Sequence, residues 1–263
     1  MGFPVIEDAA AIAQAGSGPI TSWRARLQLV GDPVETFNAY LAQAQAAGYP
    51  VSGGCTVRSE DGLDMPLADF VGVSATNLSC GASYQRYSES NKSSTYVGIS
   101  VEVGLRDDVY VSGVGLRYVR IGDGSGDEPV RAPLSLITQT TPVLPGPPAP
   151  MYAQPGDTLL PAKGDADLVL PDGVEQVGPS ATSVVCSNGF DVVLATLDVA
   201  ADVLARFHEQ VKVQVSVPGA IRSAEVSGVF ASTLTVNSLG GSNGLVITAA
   251  DAGDDHYLLL SLC

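Results

Sequence analysis

The sequence predicts an α+β protein made of two tandem small domains, each a mainly antiparallel sheet with one packed helix, joined by a proline-rich connector. Three observations lead there: a helix-period stretch followed by several period-2 stretches occurs twice, prolines gather between the two sets, and apolar residues suffice for full cores. Of 263 residues 45% are hydrophobic, a size and composition that admit one or two domains and argue against disorder. Nine of the seventeen prolines fall in residues 141–179. Proline fixes φ and lacks a backbone donor, so a series this dense neither joins a central strand nor continues a helix. The stretch reads as a connector, with residues 142–150 stiff and extended in the polyproline II manner. The chain then divides into an N-terminal arm (1–19), a first domain (20–140), the connector (141–179) and a second domain (180–263).

In the first domain, residues 22–30 (SWRARLQLV) alternate Trp23, Ala25, Leu27 and Leu29 with Arg24, Arg26 and Gln28, as a half-buried strand does, which places Trp23 in the core. Asp32-Pro33-Val34-Glu35 then supplies an N-cap, a proline at the first helical position and an acid in the first turn. Val34, Phe37, Leu41 and Ala44 form one apolar stripe and Gly48 a stop, so a helix is predicted over 33–47. Strands are predicted over 50–58, 71–87, 95–105 and 109–120, the last two as a hairpin about Arg106-Asp107-Asp108. The tyrosines of this region, Tyr84, Tyr87, Tyr96, Tyr110 and Tyr118, fit ordinary strand composition.

The second half repeats the plan. Residues 191–197 read as a strand and Asp198 as an N-cap. A helical stripe follows in Ala200, Val203, Leu204, Phe207 and Val211. Strict alternation then predicts a strand over 211–217 (VKVQVSV), with further strands over 224–236, 244–249 and 256–263. Turns fall at Gly240 to Gly244 and at Ala252-Gly253-Asp254-Asp255. The repeated order is that of an internal duplication or of two members of one architecture.

Charge limits the partners. The net charge is −15, with 15 acids to 9 bases in residues 1–140 and 13 to 4 in residues 141–263. Nucleic acid and anionic membranes need clustered Lys and Arg, so neither is expected as a partner. No apolar run is long enough to span a bilayer as a helix. Glu7 and Asp8 stand where an export signal carries basic residues. The four cysteines lack C-x-x-C spacing and fall two to each half, predicting the disulfides Cys55–Cys80 and Cys186–Cys263 and an oxidising, extracytoplasmic or cell-surface location, with cytoplasm or virion as alternatives.

Motifs for chemistry are absent: no nucleophile elbow, phosphate loop, zinc-protease helix or dinucleotide fingerprint occurs. His208 sits on the second helix, and His256 follows Asp254-Asp255 in what reads as a solvated turn. Asp123, Ser125, Asp127 and Glu128 space oxygens as a calcium loop would, but Glu128 and Leu134 depart from that pattern, leaving a flexible acidic loop. Asn77-Leu78-Ser79 and Asn91-Lys92-Ser93 satisfy the glycosylation triplet, which arises often by chance. No catalytic, cofactor-binding or metal-binding residue is therefore assigned, and no cofactor is expected. The expected function is a non-catalytic interaction or structural protein of the cell envelope that binds protein partners or self-assembles. The alternatives are a component of a virion or tail-like particle, and a hydrolase whose site is assembled from residues distant in sequence.

Overall fold

The structure is a computed structural model and describes residues 20–88, 93–106, 109–121, 134–147, 152–159, 168–183, 189–215, 218–226, 229–237, 244–252 and 254–262. The chain forms two compact units that divide at residues 149 and 150. Each is an antiparallel sheet with one α-helix packed on it, the α+β class expected.

In the first unit, β1 (Ile20–Leu27), β2 (Ser52–Arg58), β3 (Asp64–Pro66), β4 (Asn77–Ser88), β5 (Ser93–Arg106) and β6 (Val109–Ile121) assemble in the order β1-β6-β5-β4-β2-β3. Helix α1 (Pro33–Ala46) lies against β4 and β5. It starts where the sequence places it, because the Asp32 carboxylate accepts the Glu35 amide proton at 2.9 Å and satisfies one otherwise unpaired donor of the first turn. It stops at Gly48, whose φ of 88° an L-residue rarely adopts, while the amides of Ala47, Gly48 and Tyr49 close onto the last carbonyls. Val34, Phe37, Tyr40, Leu41 and Ala44 are buried against the sheet residues Leu78, Val97, Ile99 and Val101. Cys55 and Cys80 stand directly opposite each other on β2 and β4, Cα atoms 4.0 Å apart, and form a disulfide.

The second unit holds β7 (Val174–Gln176), β8 (Ala181–Thr182), β9 (Phe190–Thr196), α2 (Ala200–Lys212), β10 (Ile221–Val226), β11 (Val229–Asn237), β12 (Gly244–Ala252) and β13 (Asp255–Leu262). The sheet order is β10-β11-β12-β13-β9-β7, with β8 also on β9. Val203, Leu204, Phe207 and Val211 of α2 pack with Leu194, Leu234, Ile247, Leu258 and Leu260.

Several sequence expectations change. The strand expected over 71–87 begins only at Asn77, and Val71 and Val73, 99% and 78% exposed, precede it in a loop whose Ser74 bridges Val143 instead. The strand expected over 211–217 is in its first residues the end of α2. Val211 is needed by the helix stripe, four residues after Phe207, and the alternation that followed it was incidental. The long strand expected over 224–236 is the hairpin of β10 and β11, with Ala224 opposite Ala231. His256 lies on β13, as the strand expected over 256–263 places it, and not in the solvated turn before it. Residues of the proline-rich stretch are shared between the units: Val143 is hydrogen-bonded to the first, while Leu159, Leu168, Leu170 and Val174 are buried in the core of the second. The N-terminal arm, the Trp23 side chain, the Asp123 to Glu128 loop, Asn91, Cys186 and Cys263 lie outside the described residues. No helix among the described residues is long and apolar enough to cross a membrane.

Candidate acid–base site

The one close pairing of an imidazole with a carboxylate among the described residues is made by the β12–β13 hairpin. Its register sets Asp251 directly opposite His256. Side chains alternate along each strand, and Leu258 and Leu260 on β13, with Ile247 and Ala249 on β12, are buried in the core that α2 covers. His256 and Asp251 continue those two rows by one more step, so both lie on the helix face at the end of the sheet. The chain reaches α2 through the end of β9, where Ala195 pairs with Tyr257, next to His256.

Helix α2 arrives at this point without a cap of its own. Its N-cap residue is Val199, which has no side-chain acceptor, rather than the expected Asp198. The Asp198 carboxylate is instead paired with Arg206, and its amide bonds the Thr196 hydroxyl. The missing acceptor comes from across the fold: Asp251 Oδ1 accepts the Ala200 amide proton at 2.7 Å. The partial positive charge of a helix N-terminus favours a carboxylate there.

The same oxygen lies 2.6 Å from His256 Nδ1. A carboxylate accepts and cannot donate, so the proton sits on Nδ1 and the neutral ring presents Nε2 as its lone-pair atom. The two side chains are 17% and 15% exposed. Asp251 Oδ2 is buried and has no hydrogen-bond partner among the described residues. The pair thus has a base atom, an orienting acceptor and a spare acceptor, the arrangement by which a carboxylate fixes the tautomer of a general base and stabilises its protonated form.

His208 is not part of this. Its Nε2 is 3.3 Å from the Gly219 carbonyl, and it lies eight residues along α2 from Ala200, roughly 12 Å at 1.5 Å per residue. Two other polar clusters are structural in form. Ser261 Oγ donates to Asp191, both almost fully buried. Asn77 Nδ2 donates to Glu102 Oε1 at 3.3 Å, with Arg106 3.9 Å from Glu102 Oε2. Asn77 is only 8% exposed and so engaged, which removes the first glycosylation triplet from use. No group of three His, Cys, Asp or Glu residues able to hold a metal occurs among the described residues.

No protein-family model and no curated protein matches the chain. Among solved structures it is similar to an erythromycin dehydratase, at 9% identity over 93% of this chain and 90% of that one, with a TM-score of 0.17. A bifunctional dehydratase-cyclase domain of ambruticin biosynthesis follows at 13% identity, 96% and 93% coverage and a TM-score of 0.17. The 12:0-ACP thioesterase of Umbellularia californica stands at 11%, 94% and 98%, with a TM-score of 0.14. The pairing of His256 with Asp251 across β12 and β13 corrects the expectation of a non-catalytic interaction or structural protein, which set His256 aside as part of a solvated turn.

Proposed function

We propose that this chain is an enzyme, a hydrolase whose acid–base group is assembled from residues that the β12–β13 hairpin and α2 bring together. The observation that carries the reading is the 2.6 Å contact of His256 Nδ1 with an Asp251 oxygen that also caps α2. Nε2 takes a proton from a water molecule as that water adds to an acyl carbon. The imidazolium, stabilised by Asp251, then returns the proton to the departing oxygen or sulfur. Asp251 is a positioning residue in this scheme, and His256 is the group that touches the reacting atoms. The Cys55–Cys80 bridge supports a compartment oxidising enough to keep it, in keeping with an extracytoplasmic location.

The test is a turnover assay on a panel of carboxylic esters and thioesters, with a pH–rate profile on whichever reacts. His256→Gln should lower kcat by about 10²–10⁴-fold. Asp251→Asn should lower kcat while leaving KM nearly unchanged, since it alters the tautomer rather than substrate contacts. Turnover of the His256→Gln protein at the wild-type rate would sink the proposal.

A further inference from the structure

The two units share one topology. In each, a strand leads into the helix, and the strands after the helix run antiparallel until the last one pairs with the strand before it, β6 with β1 and β13 with β9. The hairpins β5–β6 and β12–β13 therefore correspond. So do the pairs one step inside their closing residues: Leu105 with Tyr110 in the first unit, Asp251 with His256 in the second. The helix starts correspond as well. α1 is capped by its own Asp32, so this architecture closes its helix without a charged pair on the hairpin, and the carboxylate and imidazole are particular to the second unit.

Charge around that pair is one-sided. Asp202 stands in the first turn of α2, two residues after the Ala200 amide that Asp251 accepts, and Asp254 stands two residues before His256; both are exposed. The base nearest in the fold is Arg206, and it is held by the Asp198 carboxylate and the Asp172 carbonyl. Lys212 lies at the far end of α2, about 18 Å from Ala200 at 1.5 Å per residue, and is paired with Glu209. Arg222 is on β10, three strands from β13. Among the described residues no base therefore offsets Asp202, Asp251 and Asp254, and the field of these carboxylates repels anions and draws cations. Apolar surface adjoins them. Ala195 pairs with Tyr257, so the segment that joins β9 to α2 leaves the sheet beside His256, and it carries Leu197 and Val199, 96% and 47% exposed.

We infer that the substrate of this site is an ester with a fixed positive charge on an otherwise apolar group, as in the ester of a quaternary ammonium alcohol. Its cation lies in the field of Asp202, Asp251 and Asp254 and its alkyl part against Leu197 and Val199. The inference rests on the reading of His256 as an acid–base group and adds the sign of the charge that the site selects. The experiment gives the full chain three butyrate esters of similar size: butyrylcholine, its neutral isostere 3,3-dimethylbutyl butyrate, and the anionic 2-sulfoethyl butyrate. At low salt kcat/KM should fall in that order, by about tenfold or more from first to last. The spread should close at about 1 M salt, where the Debye length is roughly 3 Å. Asp202→Asn combined with Asp254→Asn should shrink the preference for the cationic over the neutral ester about fourfold, the effect of two charges roughly 10 Å away in water. Butyrylcholine is also titrated into nitrogen-labelled His256→Gln protein, where saturable amide shifts are expected within residues 196–202 and 251–257. Equal kcat/KM for the three esters, a spread that persists at high salt, or an unchanged preference in the double variant would overturn the inference and leave the hydrolase reading standing. Saturable binding of butyrylcholine with no turnover by the wild type would uphold the cation preference and sink the hydrolase reading instead. Neither binding nor turnover of butyrylcholine would overturn the inference.

Discussion

Tyr49 shows at the scale of one residue how burial becomes a pH dependence. It follows the Gly48 stop of α1 and packs with Tyr84 and Tyr118, ring centroids 6.2 Å away in each case. Desolvation by burial first, and then the Tyr118 hydroxyl beside it, push its phenol from 10.0 up to about 12, against a smaller opposing effect of Arg120. The neutral form is the one the fold favours. Stability from this residue is therefore complete below the unfolded value near pH 10 and is lost as pH rises through about 12. The melting temperature should fall across that alkaline window, and Tyr49→Phe should flatten the fall. A variant with the same alkaline slope as wild type would show that other groups cause it.

Asp251 and His256 teach a different lesson at the same scale. The turn expected at Ala252 to Asp255 leaves His256 at the start of the strand after it but stops the strand before it at Ala249. β12 runs on to Ala252, opposite Asp255, so Asp251 and His256, one step further out, face each other. Continuing the first strand to the turn would have paired them. What no local pattern could have shown is the third member, the Ala200 amide, because α2 starts 51 residues earlier and its lack of a capping side chain is visible only once Val199 is known to be the N-cap. The cysteine argument succeeded where it could be followed. Cys55 and Cys80 lie in strands of matching register, and pairing by halves required only that each domain close on itself.

At the scale of elements, helix starts with chemical punctuation were legible and strand extents were not. Asp32-Pro33 names the start of α1 because N-cap and first-turn chemistry are local. The end of α2 had no such mark. Residues 211–217 satisfy strand alternation, and Val211 also satisfies the helical stripe, so periodicity alone leaves the element undecided. Burial separates the two. On a strand, Val211 and Val213 would share a face and cost alike when truncated. On the observed helix Val211 is fully buried and Val213 is 84% exposed. Val211→Ala should therefore destabilise by roughly 1–3 kcal/mol through lost transfer energy and cavity. Val213→Ala should stay within about 0.5 kcal/mol, as surface changes do. Equal costs in urea denaturation would restore the strand.

The whole molecule turns on where the second unit's core begins. Composition admitted one or two cores, and proline density marks only where regular structure is interrupted, while a chain without regular structure can still bury side chains. Leu168 and Leu170 flank Val169, whose amide and carbonyl are both bonded by the Gln210 side chain of α2, at 2.9 Å each. Leu159 joins them through the hydrogen bond from its amide to the Leu168 carbonyl, at 2.7 Å, and Val174 through β7 on β9. All four leucine and valine side chains are at most 4% exposed. Each is worth about 1.5–3 kcal/mol when fully buried, so together they contribute on the order of 6–12 kcal/mol, as much as the entire net stability of an ordinary domain, about 5–15 kcal/mol. A fragment of residues 150–263 should fold by itself and melt cooperatively. A fragment of residues 180–263, which keeps every strand from β8 onward and α2 but lacks these side chains, should remain unfolded by circular dichroism and amide dispersion. Cooperative folding of the shorter fragment would show that the stretch before β8 is dispensable, and that α2 and its sheet hold the second core alone.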